Sequence, residues 1–268
     1  APTGQVIITQ DVKFYNNNSS ILFKQDNPVT WSTNATAISF NFTGTEFNLN
    51  GGEKICDAVP GTWYKIVLSA DVTSKLCFAK VYDAEGALLG ESDVTAFVNA
   101  GATAPVYLCY RTPDNSQGEL DFNNVKMYTP EIDGTKFTTT VADETISIPE
   151  AGESDVTTTL TAKALSTEGY DMIGEATWAF DESVTDTSSV AITPDTTDSH
   201  KATLTVKTGA PAGTLPIKVT IGGVTKTLEV NLTSSQDSIQ FTQSTSSISI
   251  PLTDGTTDKY TYAAKVVG

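Results

Sequence analysis

The chain has 268 residues, 16 basic against 32 acidic side chains, a formal net charge of −16, one His and 39% hydrophobic residues. A surface this negative repels phosphate backbones and anionic headgroups, which makes nucleic acid and membrane surfaces poor partners. No run of 18 apolar residues occurs, and the start Ala1-Pro2-Thr3-Gly4 has neither Met nor a targeting pattern, so no membrane insertion is expected and the chain reads as a processed or excised piece.

Period-2 alternation dominates from the start. Ala37–Phe42 sets Ile38, Phe40 and Phe42 against Ser39 and Asn41, and Glu46–Asn50 sets Phe47 and Leu49 against Glu46, Asn48 and Asn50, the pattern of half-buried strands. Tyr64–Leu68, Leu76–Tyr82, Val106–Tyr110 and Leu120–Tyr128 read as further strands, divided by turn chemistry at Asn50-Gly51-Gly52, Pro60-Gly61, Asp83-Ala84-Glu85-Gly86 and Pro113-Asp114-Asn115. No segment holds a 3.6-residue period over three turns. Residues 1–130 therefore form a first domain, a jelly-roll-like antiparallel sandwich.

Composition changes near residue 130. Residues 1–130 hold 16 of 23 aromatics, all three Cys and 12 of 13 Asn, whereas 131–268 hold 30 of 43 Thr. Thr129–Thr135, with Pro130 and Gly134, reads as an exposed linker. Strands are expected at Ile146–Ile148, Val156–Ala164, Ala176–Phe180, Val190–Thr193, Ala202–Lys207, Ile217–Ile221 and Val224–Leu232, the last two joined by a Gly222-Gly223 hairpin turn. Seven short strands over 136–233 suit an immunoglobulin-like sandwich with Trp178 between its sheets.

Ile146-Ser147-Ile148-Pro149 recurs as Ile248-Ser249-Ile250-Pro251, and Thr161-Ala162-Lys163 is echoed by Ala263-Ala264-Lys265. A period near one sandwich makes 235–268 the first strands of a second immunoglobulin-like repeat, too short to bury a core. Its Ile248, Ile250, Tyr260 and Tyr262 are expected to pack on another chain or on residues beyond Gly268. The overall expectation is an all-β chain of discrete modules.

Chemistry-bearing patterns are sparse. His200, the only His, lies in a loop-like stretch unsuited to a triad, and although Glu46 and Asp121 are a conceivable carboxylate pair, coincidental pairs abound in an acidic chain, so the segment is not expected to be an enzyme. Cys56, Cys77 and Cys109 show no metal spacing. They are either buried thiols or include one disulfide, with Cys77 and Cys109 on neighbouring strands the favoured pair. Asp114, Asn115 and Glu119 crowd oxygen donors into one loop, which fits a structural Ca2+ as well as it fits side chains capping their own turn. Five glycosylation sequons begin at Asn17, Asn18, Asn34, Asn41 and Asn231.

Strand alternation also marks a ligand face. With Phe47, Leu49 and Leu108 turned inward, Asn48 and Asn50 share one outer face with Tyr107 and Arg111. Amides and a phenol suit sugar hydroxyls and C–H faces, and Arg111, the only Arg in the chain, offers a fork for a uronate carboxylate. Trp31, in a loop, is placed to reach the same ligand; Trp63 beside Tyr64 is assigned to packing. A surface Arg paired to a neighbouring Asp is the competing reading of Arg111.

The run Asn48-Leu49-Asn50-Gly51-Gly52, Pro60-Gly61-Thr62-Trp63-Tyr64-Lys65-Ile66-Val67-Leu68, Val81–Gly86 and Leu120–Tyr128 resembles concanavalin-A-like or LamG-like lectin domains and related jelly-roll carbohydrate-binding modules over roughly 40–128. Residues 136–233 look like a bacterial immunoglobulin-like repeat. The resemblance implies a non-catalytic glycan-binding module on an immunoglobulin-like spacer, part of a larger extracellular or cell-surface protein, with polysaccharide as partner and protein contact through the C-terminal strands. The alternative is a structural stalk or adhesin segment that binds a protein and has no sugar site.

Overall fold

A computed structural model describes residues 4–25, 35–112 and 119–234. Trp31, Asp114, Asn115 and residues 235–268 lie outside the described residues. The chain divides into two compact units, one taking in residues up to 139 with 162–177 and 219–226, the other 140–161, 178–218 and residues from 227 on.

The all-β expectation holds. The first unit carries β1 (Gln5–Phe14), β2 (Ser19–Lys24), β3 (Thr36–Phe42), β4 (Glu46–Leu49), β5 (Lys54–Asp57), β6 (Trp63–Asp71), β7 (Leu76–Tyr82), β8 (Leu88–Glu91), β9 (Thr95–Ala96), β10 (Tyr107–Arg111) and β11 (Leu120–Tyr128). They make two antiparallel sheets. A six-stranded sheet runs β11-β1-β6-β7-β8, with β9 pairing β7, and a five-stranded sheet runs β10-β2-β3-β4-β5. Alternation is cleanest in β7, where Cys77, Ala79 and Val81 are buried while Leu76, Phe78, Lys80 and Tyr82 are partly exposed.

Apolar residues of both sheets make one core of Val12, Phe14, Phe23, Phe40, Phe42, Phe47 and Ile66 among others. Phe47 is its hub. Its ring lies 5.2 Å from Phe40, 5.6 Å from Phe14 and Phe42, and 5.0 Å edge-on from Tyr64. Tilted and edge-on geometry at this spacing adds about 0.5–1.5 kcal/mol per pair beyond burial. Near β5 and β8 the backbones approach closely at Gly90, where a Cβ would stand 2.3 Å from the Ile55 carbonyl oxygen, so no side chain fits.

The stretch 162–177 folds with the first unit through polar contacts. Gln5 Nε2 donates to the Asp171 carbonyl at 2.9 Å, and Gln5 Oε1 accepts from the Ile173 N–H at 2.7 Å. Lys80 and Lys163 reach the Asp171 carboxylate at 2.5 and 3.0 Å. Burial pushes the Asp171 carboxyl up, but the two lysines outweigh it and hold it below the usual carboxylate range.

Beyond Phe137 run β12 (Thr138–Val141), β13 (Thr145–Ile148), β14 (Val156–Lys163), β15 (Ala176–Phe180), β16 (Val190–Pro194), β17 (Lys201–Val206), β18 (Gly213–Ile221) and β19 (Val224–Ser234). They form two four-stranded sheets, β12-β14-β17-β16 and β13-β19-β18-β15. All seven strands expected here are present, and β12 is an eighth. β14 and β16 run antiparallel to β17, whereas β13 runs parallel to β19, Ile146 opposite Leu232. A second core gathers Ile146, Leu160, Leu204, Val206, Ile217, Val230 and Leu232, all in the second unit. Half-buried Trp178 packs against it and donates Nε1–H to the Ser199 carbonyl at 2.9 Å. The Gly222-Gly223 turn between β18 and β19 has φ of 54° and 82°, the left-handed values that a two-residue hairpin needs.

Candidate functional site

The amides read as ligand-binding are committed elsewhere. Asn48 is buried, and its Oδ1 accepts from Asn41 Nδ2 at 2.9 Å across the β3–β4 pair. Asn50 adopts a left-handed φ of 55° after β4, accepts the Ser39 N–H at 2.9 Å and donates to the Ala96 carbonyl at 2.9 Å and to Cys77 Sγ at 3.2 Å. Tyr107 and Arg111 lie exposed on β10, on the outer side of the same sheet. Two strands, β2 and β3, separate β10 from β4, a distance of about 14 Å at the usual strand spacing. Asn48 and Asn50 therefore do not converge with Tyr107 and Arg111. Glu119 is exposed just before β11, and no cluster of three metal-ligating side chains occurs among the described residues.

Cys77 and Cys109 do not form the disulfide expected of neighbouring strands. Cys77 is on β7 of the six-stranded sheet and Cys109 on β10 of the five-stranded one, so they are not on neighbouring strands. All three cysteines are buried free thiols. Burial pushes the Cys77 thiol up to about 12, with the Asn50 amide pulling weakly the other way, which keeps it protonated and inert at neutral pH.

Two other surfaces of the first unit can meet a partner. One is the outer face of the six-stranded sheet. Register places Lys13 between Asp121 of β11 and Trp63 of β6, and Asp11 between Asn123 and Lys65. Trp63 is therefore partly exposed on the outer face, where the sequence assigned it to packing; Tyr64, one residue on, is the buried member of the pair. Lys13 sits 5.0 Å over the Tyr15 ring and 5.1 Å over Trp63, and Lys65 lies 5.8 Å from Tyr82 and 5.6 Å from Tyr170. Asp121 takes Tyr15 O–H at 2.7 Å and Lys13 at 3.0 Å, in that order the causes that hold its carboxyl below the usual range. Two shallow hollows of ≈ 480 and ≈ 330 Å³ share Asp11 and Lys65; the larger has Tyr128, Glu168 and Tyr170 on its wall, the smaller Trp63 and Asn123. Together they make an aromatic and polar groove. Once β1 is recognised as a strand, the outward alternation of Thr9, Asp11 and Lys13 is the signal that finds it.

The other surface is β11. It pairs β1 along one side and is the end strand of its sheet among the described residues. Residues 122–127 are all exposed, with Phe122 53%, Val125 41% and Met127 47% accessible. The β1–β11 register slips between Thr9 and Asp11, and Asn124 opposite the slip has a left-handed φ of 51°. This bulge changes which parity faces in: Phe122 pairs with Val12 and Met127 with Ile8, both core residues, whereas Asp121 and Lys126 pair with outward Lys13 and Thr9. Tyr110 of β10 stacks on Phe122, centroids 4.3 Å apart and planes within 5°, and its hydroxyl donates to Gln10 Oε1 at 2.5 Å.

No protein-family model matches the chain, and no curated protein does. Among solved structures it is similar to surface layer protein SbsC domains 6-7, at 19% identity over 38% of this chain and 47% of that one with a TM-score of 0.29. It is also similar to SbsC domains 1-6, at 14% identity over 85% of this chain and 29% of that one with a TM-score of 0.32, and to SbsC domains 4 and 5, at 14% identity over 57% and 89% with a TM-score of 0.28. The chain spans about half the length of the first of these and under a third of the second. No helix of the described residues is long and apolar enough to cross a membrane.

Proposed function

We propose that this chain is a non-catalytic structural or adhesive module of a larger protein displayed outside the cell, and that it works through protein contact. The observation that carries the reading is β11, a nine-residue end strand whose Phe122, Val125 and Met127 stay largely exposed where a sandwich ordinarily buries them. An acidic, Thr-rich, all-β chain resembling extracellular modules supports the location.

A second reading, glycan binding, is favoured by the groove on the outer face of the six-stranded sheet. Trp63, Tyr128 and Tyr170 supply rings there, and Asp11, Asn123 and Glu168 supply hydrogen-bonding groups. It replaces Asn48, whose Oδ1 accepts from Asn41, and Asn50, whose amide bonds Ser39, Ala96 and Cys77.

One experiment separates the two. The full chain is applied to an array of glycans and cell-wall polymers beside its Trp63→Ala and Tyr170→Ala variants. Protein contact as the main function predicts no capture at millimolar ligand. Capture of a polysaccharide by the wild type that either variant abolishes would make the glycan reading the correct one.

A further inference from the structure

The partner that fits β11 is another β11. We infer that two copies of this chain pair antiparallel along this edge, about a two-fold axis, in one register: Asp121 opposite Lys126, Phe122 opposite Val125, Asn123 opposite Asn124, and Leu120 opposite Met127. The inference rests on the protein-contact reading and names its partner.

The register follows from the bulge. In a regular antiparallel pair opposite residues share a face, so a strand can pair with its own copy only where an inward residue meets an inward one. Leu120, Phe122, Val125 and Met127 lie on the core side of β11, and Asp121, Asn123 and Lys126 on the outer side, the parity changing at Asn124. The two-fold arrangement that maps Asn123 onto Asn124 keeps every other pair on its own face. Both bulges then fall at the centre, each facing the other.

Charge selects the same register. Lys126 carries no ion pair among the described residues, and here it meets Asp121, which projects from the same outer face. A single-residue slip would put Lys126 opposite core-side Leu120 or Phe122, and the two-residue slip that also matches faces would put it opposite uncharged Asn123. Lysines and bulges are devices by which exposed edges are kept from pairing at random. On β11 both obstruct an arbitrary strand and both are satisfied by a second copy in this register, which is how an edge is made selective. Two Phe122–Val125 and two Leu120–Met127 contacts bury apolar surface beneath the new strand pair, and the closed two-fold stops assembly at this edge after one partner. The other end of the same sheet, four-residue β8, offers a shorter edge with no such self-match.

Sedimentation velocity of the full chain over a wide concentration range tests this. The expected result is a monomer that converts to a species of twice the mass as concentration rises. Lys126→Asp, which sets two carboxylates against each other twice per dimer, and Val125→Lys, an exposed position where folding is retained, should each raise the dimer dissociation constant at least tenfold. Leu88→Lys on β8 should leave it unchanged. A monomer at every concentration, a dimer indifferent to both β11 variants, or one weakened by Leu88→Lys alone would overturn the pairing. Failure of the broader reading looks different, since it needs polysaccharide capture that Trp63→Ala or Tyr170→Ala removes, whereas a monomer silent on the array loses only the second copy as partner.

Discussion

The rings of Tyr110 and Phe122 lie 4.3 Å apart and within 5° of parallel, joining β10, the end strand of one sheet, to β11, the end strand of the other. The stack is the inner limit of the exposed row on β11: Tyr110 is half-buried and its hydroxyl is pushed up to about 12 by burial, while Phe122 remains 53% accessible.

Because Phe122 loses half of its contact to solvent already, Phe122→Ala should cost only about 1–2 kcal/mol, the stacking energy plus partial burial. Phe47→Ala, at the centre of five packed rings, should cost about 3–5 kcal/mol. Urea unfolding of the two variants, followed by tyrosine and tryptophan fluorescence, gives the comparison; equal losses would mean that β11 is as firmly covered as the core.

Gly90 sits where two backbones touch. A methyl group there would stand 2.3 Å from the Ile55 carbonyl oxygen and 3.1 Å from Cys56 Cβ, and neither β5 nor β8 can yield without shifting its strand. Gly90→Ala is therefore expected to destabilise the first unit by about 1–3 kcal/mol, read as a lowered urea midpoint. Gly86→Ala, in a turn with open space around it, tests only the cost of its φ of 91° and should fall short of the larger end of that range.

Lys80 and Asp171 are 15% and 16% exposed, so solvent screens them little. Asp171→Asn should cost about 2 kcal/mol, less than the ~3–5 of a fully buried pair because Glu91 still holds Lys80 at 3.1 Å. The same variant should speed amide exchange at Ile173, whose N–H is held by Gln5, as the 162–177 stretch loosens.

In the second unit Asp181 is held down at about 2, first by the Ser183 N–H and then by Lys218 at 2.9 Å. A depressed carboxyl stabilises the folded state above its unfolded value of about 3.9, and that stabilisation disappears as pH falls through the folded value. Wild type and Asp181→Asn should thus differ in urea midpoint at pH 7 and converge as pH falls from about 4 toward about 2. A gap that persists unchanged down to pH 2 would assign the effect to something other than this ionisation.

Much of this fold is legible one residue at a time. β7 alternates, and its bounds are read without error from Leu76 to Tyr82. β1 and β2 are not, because Val6, Ile7 and Ile8 are all buried and so is every residue of β2; a strand covered on both faces has no period of two to detect. The ligand face fails for a different reason. Alternation correctly turns Asn48 away from Phe47 and Leu49, but nothing local says that Asn41 stands across the ladder to take its amide. The groove draws Trp63, Tyr128 and Tyr170 from segments far apart in sequence, so it exists only once the strand order is known. The same holds for β11: its residues read as an ordinary strand, and only the sheet order makes it an end.

Amide hydrogen exchange along β11 tests the central claim most directly. With the full chain at two concentrations a hundredfold apart, fragments covering 120–128 should exchange fast in the dilute sample and slow markedly in the concentrated one, while fragments covering β8 exchange alike in both. Exchange in 120–128 that is independent of concentration, whether fast throughout or already slow in the dilute sample, would contradict pairing between copies at this edge.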